Sequence, residues 1–303
     1  MIITHKFAAL TATLTTALSW LAAPAMAFSV GATNKTETLK NNLLGANTAG
    51  LSNFSVSITG NSAAFGTFTN DPFGLTSGVV LSTGKVADIP GQNRKDNFTT
   101  KDSDLNTDFG AKGEKGDLTQ LNLSFFANST VEKLFFEYVF ASEEFPEFGD
   151  YPKFNDDFEL LLNGTNLAKL SDGKTVTINN LVPNSNNRST DHPDYIDNPS
   201  FTGIAANIIK LDGFTKVLGF EGLLNQNQTN VLSVRIKDVG DGKLDSAVFI
   251  KGDSLGTVKP GSVQPEPVQP EPVPEPMTVG GLMAGGAMLA AGRKLRNRRG
   301  GSN

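Results

Sequence analysis

Carboxylates are the side chains best placed for chemistry in this sequence. Glu143, Glu144, Glu147 and Asp150 fall in one turn-rich stretch, and Asn155, Asp156 and Asp157 follow directly. A second group, Asp238, Asp241 and Asp245, sits in a glycine-containing loop. Hard oxygen ligands packed this closely on loops suit Ca²⁺, which takes about six to eight oxygens. The ligand set on offer is Glu144, Asn155, Asp156, Asp238, Asp241 and Asp245. Neither group has the D-x-[DN]-x-[DN]-G spacing of an EF-hand. A second reading therefore stands beside calcium: solvated acidic loops whose Asp and Asn side chains cap their own backbone. A third is hydrolysis of a glycosidic bond by paired carboxylates, held about 5–5.5 Å or about 6.5–9.5 Å apart. Glu143 or Glu144 with Asp156 is the pair that reading requires.

Other chemistries have no residues to carry them. The chain has no Cys, which removes thiol nucleophiles, disulfides, iron–sulfur clusters and cysteine zinc sites together. There are only two His. One, His5, lies in the leader described below. The other, His192, would have to serve any Ser-His-Asp triad, yet no G-x-S-x-G elbow is present. Its setting, Thr190-Asp191-His192-Pro193-Asp194-Tyr195, reads as a surface turn. The body carries no basic stripe, so nucleic acid is not an expected partner. Ser82-Thr83-Gly84 contains glycine but no phosphate-loop pattern.

The elements that must position these carboxylates read as strands. Leu121, Leu123 and Phe125 alternate with Asn122 and Ser124, and Leu134, Phe136, Tyr138 and Phe140 form one period-2 face. Phe158, Leu160 and Leu162 form another, closed by Asn163-Gly164, a strong hairpin signal. Leu167 to Leu170 is the expected return strand, and Val176 and Ile178 are expected to follow a Ser171-Asp172-Gly173 turn as a further strand. Leu232, Val234 and Ile236 alternate again, and Ala247 to Ile250 is a short apolar run. Thr36 to Leu44 is the best helical segment. Of the 21 Phe, nine lie between Phe125 and Phe158, a supply suited to filling a sandwich core. The pattern is that of an all-β protein, a jelly-roll-like β-sandwich spanning residues 28–257.

Both ends differ from this body. Residues 1–27 read as a secretory signal peptide: His5 and Lys6, an uncharged apolar run, Pro24, and the small-x-small cleavage pattern of Ala25-Met26-Ala27. Residues 258–276 form a Pro/Glu-rich linker with a repeated Val-Gln-Pro-Glu-Pro, an extended polyproline spacer. Residues 277–303 begin with an uncharged Gly/Ala-rich stretch, Met277 to Gly292, followed by Arg293, Lys294, Arg296, Arg298 and Arg299. As a helix this stretch covers about 24 Å, short of a hydrocarbon core of about 30 Å. It suits a transient hold in the inner membrane, with the basic cluster on the cytoplasmic side. The leader and tail together hold six of the chain's cations, so without them the formal charge falls by six from −5. The remaining domain is markedly acidic and favours cations over anionic partners.

Two resemblances follow from these residues. Pro274-Glu275-Pro276, the apolar stretch and the basic cluster resemble the PEP-CTERM sorting signal. That resemblance implies recognition at the membrane by an exosortase-type enzyme, in a bacterium that makes exopolysaccharide. In the body, Ser77 to Gly84, Phe140-Ala141-Ser142-Glu143-Glu144-Phe145-Pro146-Glu147-Phe148, Phe154-Asn155-Asp156, Asp212 to Thr215 and Asp238 to Ile250 resemble the choice-of-anchor L domain over about Asn70 to Gly252. This implies an extracellular domain joined to a sorting signal and assigns it no enzymatic activity. The expected function is a non-enzymatic structural or adhesive module of the cell surface or matrix, associated with exopolysaccharide or biofilm. The competing expectation is calcium-dependent glycan binding or polysaccharide processing.

Overall fold

The alternating segments fold as strands, and the computed structural model describes residues 27–95, 103–110 and 117–260. In those residues the order is β1 (Ser29–Ala32), α1 (Thr36–Leu43), β2 (Leu51–Thr59), β3 (Phe65–Thr69), β4 (Ser77–Ser82), β5 (Leu118–Ala127), β6 (Lys133–Ser142), β7 (Asp157–Leu162), β8 (Thr165–Asn166), α2 (Ile178–Leu181), β9 (Tyr195–Asp197), β10 (Gly213–Thr215), β11 (Leu218–Leu223), β12 (Gln228–Lys237) and β13 (Ser246–Lys251). They build two antiparallel sheets. The larger runs β1-β3-β4-β13-β6-β10-β9, with β11 also pairing β6, and the smaller runs β2-β5-β12-β7-β8.

Register explains the core between them. β12 lies between β5 and β7, with Leu232 opposite Leu123 and Leu162, and Val234 opposite Leu121 and Leu160. These side chains share one inter-sheet core with Leu134, Phe136, Tyr138 and Phe140 of β6. Phe136 stacks on Phe220 at 4.3 Å between ring centres, and Phe140 stacks on Phe158 of the other layer at 6.2 Å. Five of the nine Phe in the Phe-rich segment, Phe125, Phe136, Phe140, Phe145 and Phe158, fill this core, while Phe126, Phe148 and Phe154 are only half-buried. α1 closes one side of the sandwich by burying Leu39 and Leu43, which are four residues apart and so share a helix face.

A second core lies on the outer face of the larger sheet. Val80, Val139, Ala141, Ala247 and Phe249 pack there against Phe28, Leu105, Ala205, Ile209, Leu211 and Phe214. The central strands β4, β6 and β13 are thus covered on both faces. This accounts for unbroken apolar runs such as Val79-Val80-Leu81 and Ala247-Val248-Phe249-Ile250. The covering residues Leu105, Ala205, Ile209 and Leu211 come from loops, whereas Phe214 belongs to β10 of the sheet itself.

Several sequence expectations can be compared directly. α1 ends at Leu43, one residue short of the expected helix. Asn163 (φ 51°) and Gly164 (φ 87°) make the hairpin turn, both in the left-handed region that type I′ requires. The return strand is Thr165–Asn166 rather than Leu167 to Leu170. Asn166 ends the pairing because its Oδ1 accepts from the Leu160 and Ala168 amides. Val176 and Ile178 do not form a strand either. Thr177 caps the turn of α2 by accepting from the Asn180 amide, so Ile178 opens a helix. No helix among the described residues is long and apolar enough to cross a membrane. The leader with Ala25, the linker beyond Pro260 and the whole tail from Met277 lie outside the described residues.

Candidate functional site: a buried acidic cluster

The chemistry-bearing motifs, far apart in sequence, meet at one end of the larger sheet. β6 ends at Ser142 and β13 starts at Ser246, and the two residues are cross-strand partners. Ser246 also holds the end of β4: its amide donates to Thr83 Oγ1 at 2.9 Å, and its carbonyl accepts from Ser82 Oγ at 2.9 Å. A hydroxyl chain then crosses to the start of β7. The Glu144 amide donates to Ser142 Oγ at 2.9 Å, Ser142 Oγ lies 2.8 Å from Ser246 Oγ, and Ser246 Oγ donates to Asp156 Oδ2 at 2.6 Å. Asp156 Oδ1 accepts from the Val239 amide at 2.8 Å, which ties in the loop after β12.

Around this junction Glu143, Glu144, Asp156, Asp212, Asp238 and Asp245 are each at most 2 % exposed. Among the described residues no Lys or Arg forms an ion pair with Glu144, Asp156, Asp212, Asp238 or Asp245. Burying carboxylates without cations favours their neutral form. Burial raises Glu143 and Asp238 to about 8 and Asp245 to about 7, from ordinary carboxylate values. Burial likewise holds Glu144, Asp156 and Asp212 well above the usual range, and neighbouring carboxylates add to it.

The cluster has two halves. In one, Glu144 sits among Asp156, Asp238 and Asp241, whose charges act on it in that order. Its Oε2 is buried with no hydrogen-bond partner. Asp238 Oδ1 accepts from the Gly242 amide at 3.1 Å, fixing the glycine-containing loop. In the other half, Glu143 and Asp212 share a side-chain hydrogen bond, which requires a proton on one of them. Glu143 Oε1 accepts from the Asp104 and Leu105 amides at 3.1 and 2.7 Å. Asp212 Oδ1 accepts from Asn93 Nδ2 at 2.6 Å. Asp245 Oδ1 accepts from the Thr107 amide at 3.0 Å, while its Oδ2 is buried without a partner against Gly84.

Of the six residues expected as calcium ligands, the structure brings Glu144, Asp156, Asp238 and Asp241 into one group. Asn155 is otherwise occupied, its Oδ1 accepting from the Asn179 amide at 2.8 Å. Asp245 holds residues 103–110 instead. Among the described residues, no three His, Cys, Asp or Glu side chains form a preassembled metal site. The oxygen-only donor set still matches a hard cation by chemistry. Sequence reasoning passed over Asn93, Ser142 and Ser246 as site residues, and quoted Asp212 only as part of a motif. The one available signal was an Asp set beside apolar Leu211 and Phe214.

The catalytic alternatives lose their geometry. Glu143, Glu144 and Asp156 are 0–1 % exposed, so a glycan chain has no access to the proposed acid–base pair. His192 is in a turn, with the Tyr195 amide donating to its carbonyl, but it is buried rather than on the surface. Its Nδ1 accepts from the Asp194 amide at 3.1 Å, which leaves Nε2 as the proton-bearing nitrogen, 3.4 Å from Asp172 Oδ1. Neither nitrogen is free to activate a serine.

A family model described as the Choice-of-anchor L domain matches residues 29–256. That span runs from β1 past the end of β13 and exceeds the stretch over which the motifs alone are recognisable. Searches of curated proteins and of solved structures match nothing.

Proposed function

Because the chain belongs to the choice-of-anchor L family, whose domains are exported and surface-associated, we propose that it is a non-enzymatic structural or adhesive module of the cell surface or extracellular matrix. Its setting in this reading is exopolysaccharide or biofilm. The observation that carries the proposal is what lies outside the matched span: a leader, a proline-rich spacer and a tail of apolar and basic residues. The whole folded body is the family domain, and the rest is suited to export and sorting. In this reading the Pro274-Glu275-Pro276 tail holds the protein transiently at the inner membrane and is read by an exosortase-type enzyme.

The acidic cluster supports a role for calcium in that setting. Glu144, Asp156, Asp238 and Asp241 supply oxygen ligands joining the ends of β6, β7 and β12, and Asn155 and Asp245 flank them. A bound cation would offset their mutual repulsion and hold the three strand ends together. Among the described residues no three carboxylates stand within joint reach of one ion, so in this reading they must move together to hold it.

A deletion strain tests the adhesive role. Loss of cell aggregation, surface attachment and matrix retention is expected, with recovery on complementation, and normal behaviour in all three would overturn it. Calcium is tested by calorimetric titration of the purified chain. Binding heat and a higher melting temperature are expected, and no heat with an unchanged melting temperature in chelator would remove calcium from the proposal. The mature mass tests sorting: a product ending near Pro276 is expected, and one retaining Arg293 to Arg299 contradicts tail removal.

A further inference from the structure

We propose that the outer edge of β2 is an interaction surface for a second copy of this chain, joined by antiparallel strand pairing. Among the described residues β2 ends the smaller sheet with β5 as its only strand neighbour, and α1 packs beside it without pairing to Ser55–Thr59. Among the described residues, the backbone of Ser55–Thr59 makes its ladder with β5 and no other hydrogen bond. An edge strand presents a row of such outward N–H and C=O groups, ready to pair with another chain.

Folded proteins usually guard such an edge with charge, proline or a bulge. Here only the start of β2 is guarded. The register with β5 shifts between Ser52 and Ser55, where Asn53 takes φ 56°, and from Ser55 to Thr59 the strand is regular. No charged residue occurs anywhere from Asn41 to Asn70. The flanking turn and β3 are therefore neutral as well.

Two further observations select a second copy as the occupant. The first is side-chain pattern. Ser55, Ser57 and Thr59 are exposed, while Val56 and Ile58 are only half-buried against the inter-sheet core. An antiparallel pairing with its two-fold axis at Ser57 sets Ser57 opposite Ser57, Ser55 opposite Thr59, and Val56 opposite Ile58. Polar meets polar, apolar meets apolar, and the half-open edge of the core is covered. Such a self-complementary contact is isologous, so it closes as a dimer. The second is charge. The exported body is strongly acidic, so two copies repel one another over most orientations. A neutral edge is where that repulsion is least, and it offers no counter-charge to a basic or acidic partner.

The absence of Cys makes a clean test. In the full chain, Ser57→Cys should form a disulfide-linked dimer on mild oxidation, because residues on the axis fall within disulfide reach. Ser189→Cys, exposed in the turn Arg188–Thr190 outside β2, should stay mostly monomeric. In parallel, sedimentation of the cysteine-free chain should show concentration-dependent dimer, and Ser57→Lys should weaken it by about tenfold or more by placing like charges face to face. An unchanged melting temperature for Ser57→Lys would show that the fold is intact. Equal or absent cross-linking of the two cysteine variants overturns the proposal. So does self-association that Ser57→Lys leaves untouched, since that assigns it to another surface or to the apolar tail.

Discussion

Glu144 has a buried Oε2 without a partner, and Asp156, Asp238 and Asp241 surround it with like charge. A carboxylate so placed weakens the fold unless it is protonated or meets a cation. Glu144→Gln keeps the shape, removes the charge and supplies an amide donor for the neighbouring carboxylates. We expect this variant to be about 1–2 kcal/mol more stable than the parent at pH 8 in chelator, and to lose its response to calcium. Thermal melts with and without calcium check both. Asp156 behaves differently because both its oxygens are used, by Ser246 and by the Val239 amide. The burial of these residues was not legible in the sequence. Glu and Asp in turn-rich stretches read as solvated, and it is the distant segments around Asn93, Leu105 and Asp212 that seal them. Their proximity was partly legible, because loops carrying carboxylates at both ends of paired strands must meet when the strands pair.

The strands were readable where one face meets the core and the other does not, as in Leu121 to Phe125 or Leu232 to Ile236, because the side-chain period is two. The loop layer over the larger sheet was not. Leu105, Ala205 and Ile209 each come from a segment without periodicity, and only their joint position makes a core. The ends of β4 and β13 show how tightly this layer is fitted. A Cβ on Gly84 would lie 1.8 Å from Asp245 Oδ2 and 2.1 Å from its Cγ. Gly84→Ala must therefore push Asp245 away from the Thr107 amide. A loss of about 2 kcal/mol or more is expected in denaturant unfolding, with proteolytic cleavage appearing first near residues 103–110. An unchanged cleavage pattern would show that Asp245 does not hold that segment.

At the scale of the whole molecule, the raised carboxylates set the pH response. Unfolded Asp and Glu titrate near about 4, whereas Glu143 and Asp238 reach about 8 and Asp245 about 7 in the fold. The native state therefore binds more protons than the unfolded state in that interval, and stability must fall as pH rises through it. In chelator the melting temperature should decline from about pH 4 through about pH 8, and the raised Glu144, Asp156 and Asp212 act in the same direction. Calcium should flatten that decline by stabilising the ionised forms, and a melting temperature that rises from pH 5 to pH 8 in chelator would contradict the acidic cluster as described.

The position of β13 has a mechanical consequence. The chain leaves the domain directly from this strand, which is clamped in mid-sheet by five-pair ladders to β4 and β6. Tension entering from the C-terminal side first meets the hydrogen bond of the Thr257 amide to the Asn47 carbonyl, then the pairings of Gly256 with Phe135 and of Leu255 with Leu44. Beyond them it pulls β13 lengthwise between two neighbours, so both ladders resist in shear and share the load. They are not opened one bond at a time. A domain tethered by its tail and held elsewhere would thus take force along its strongest direction.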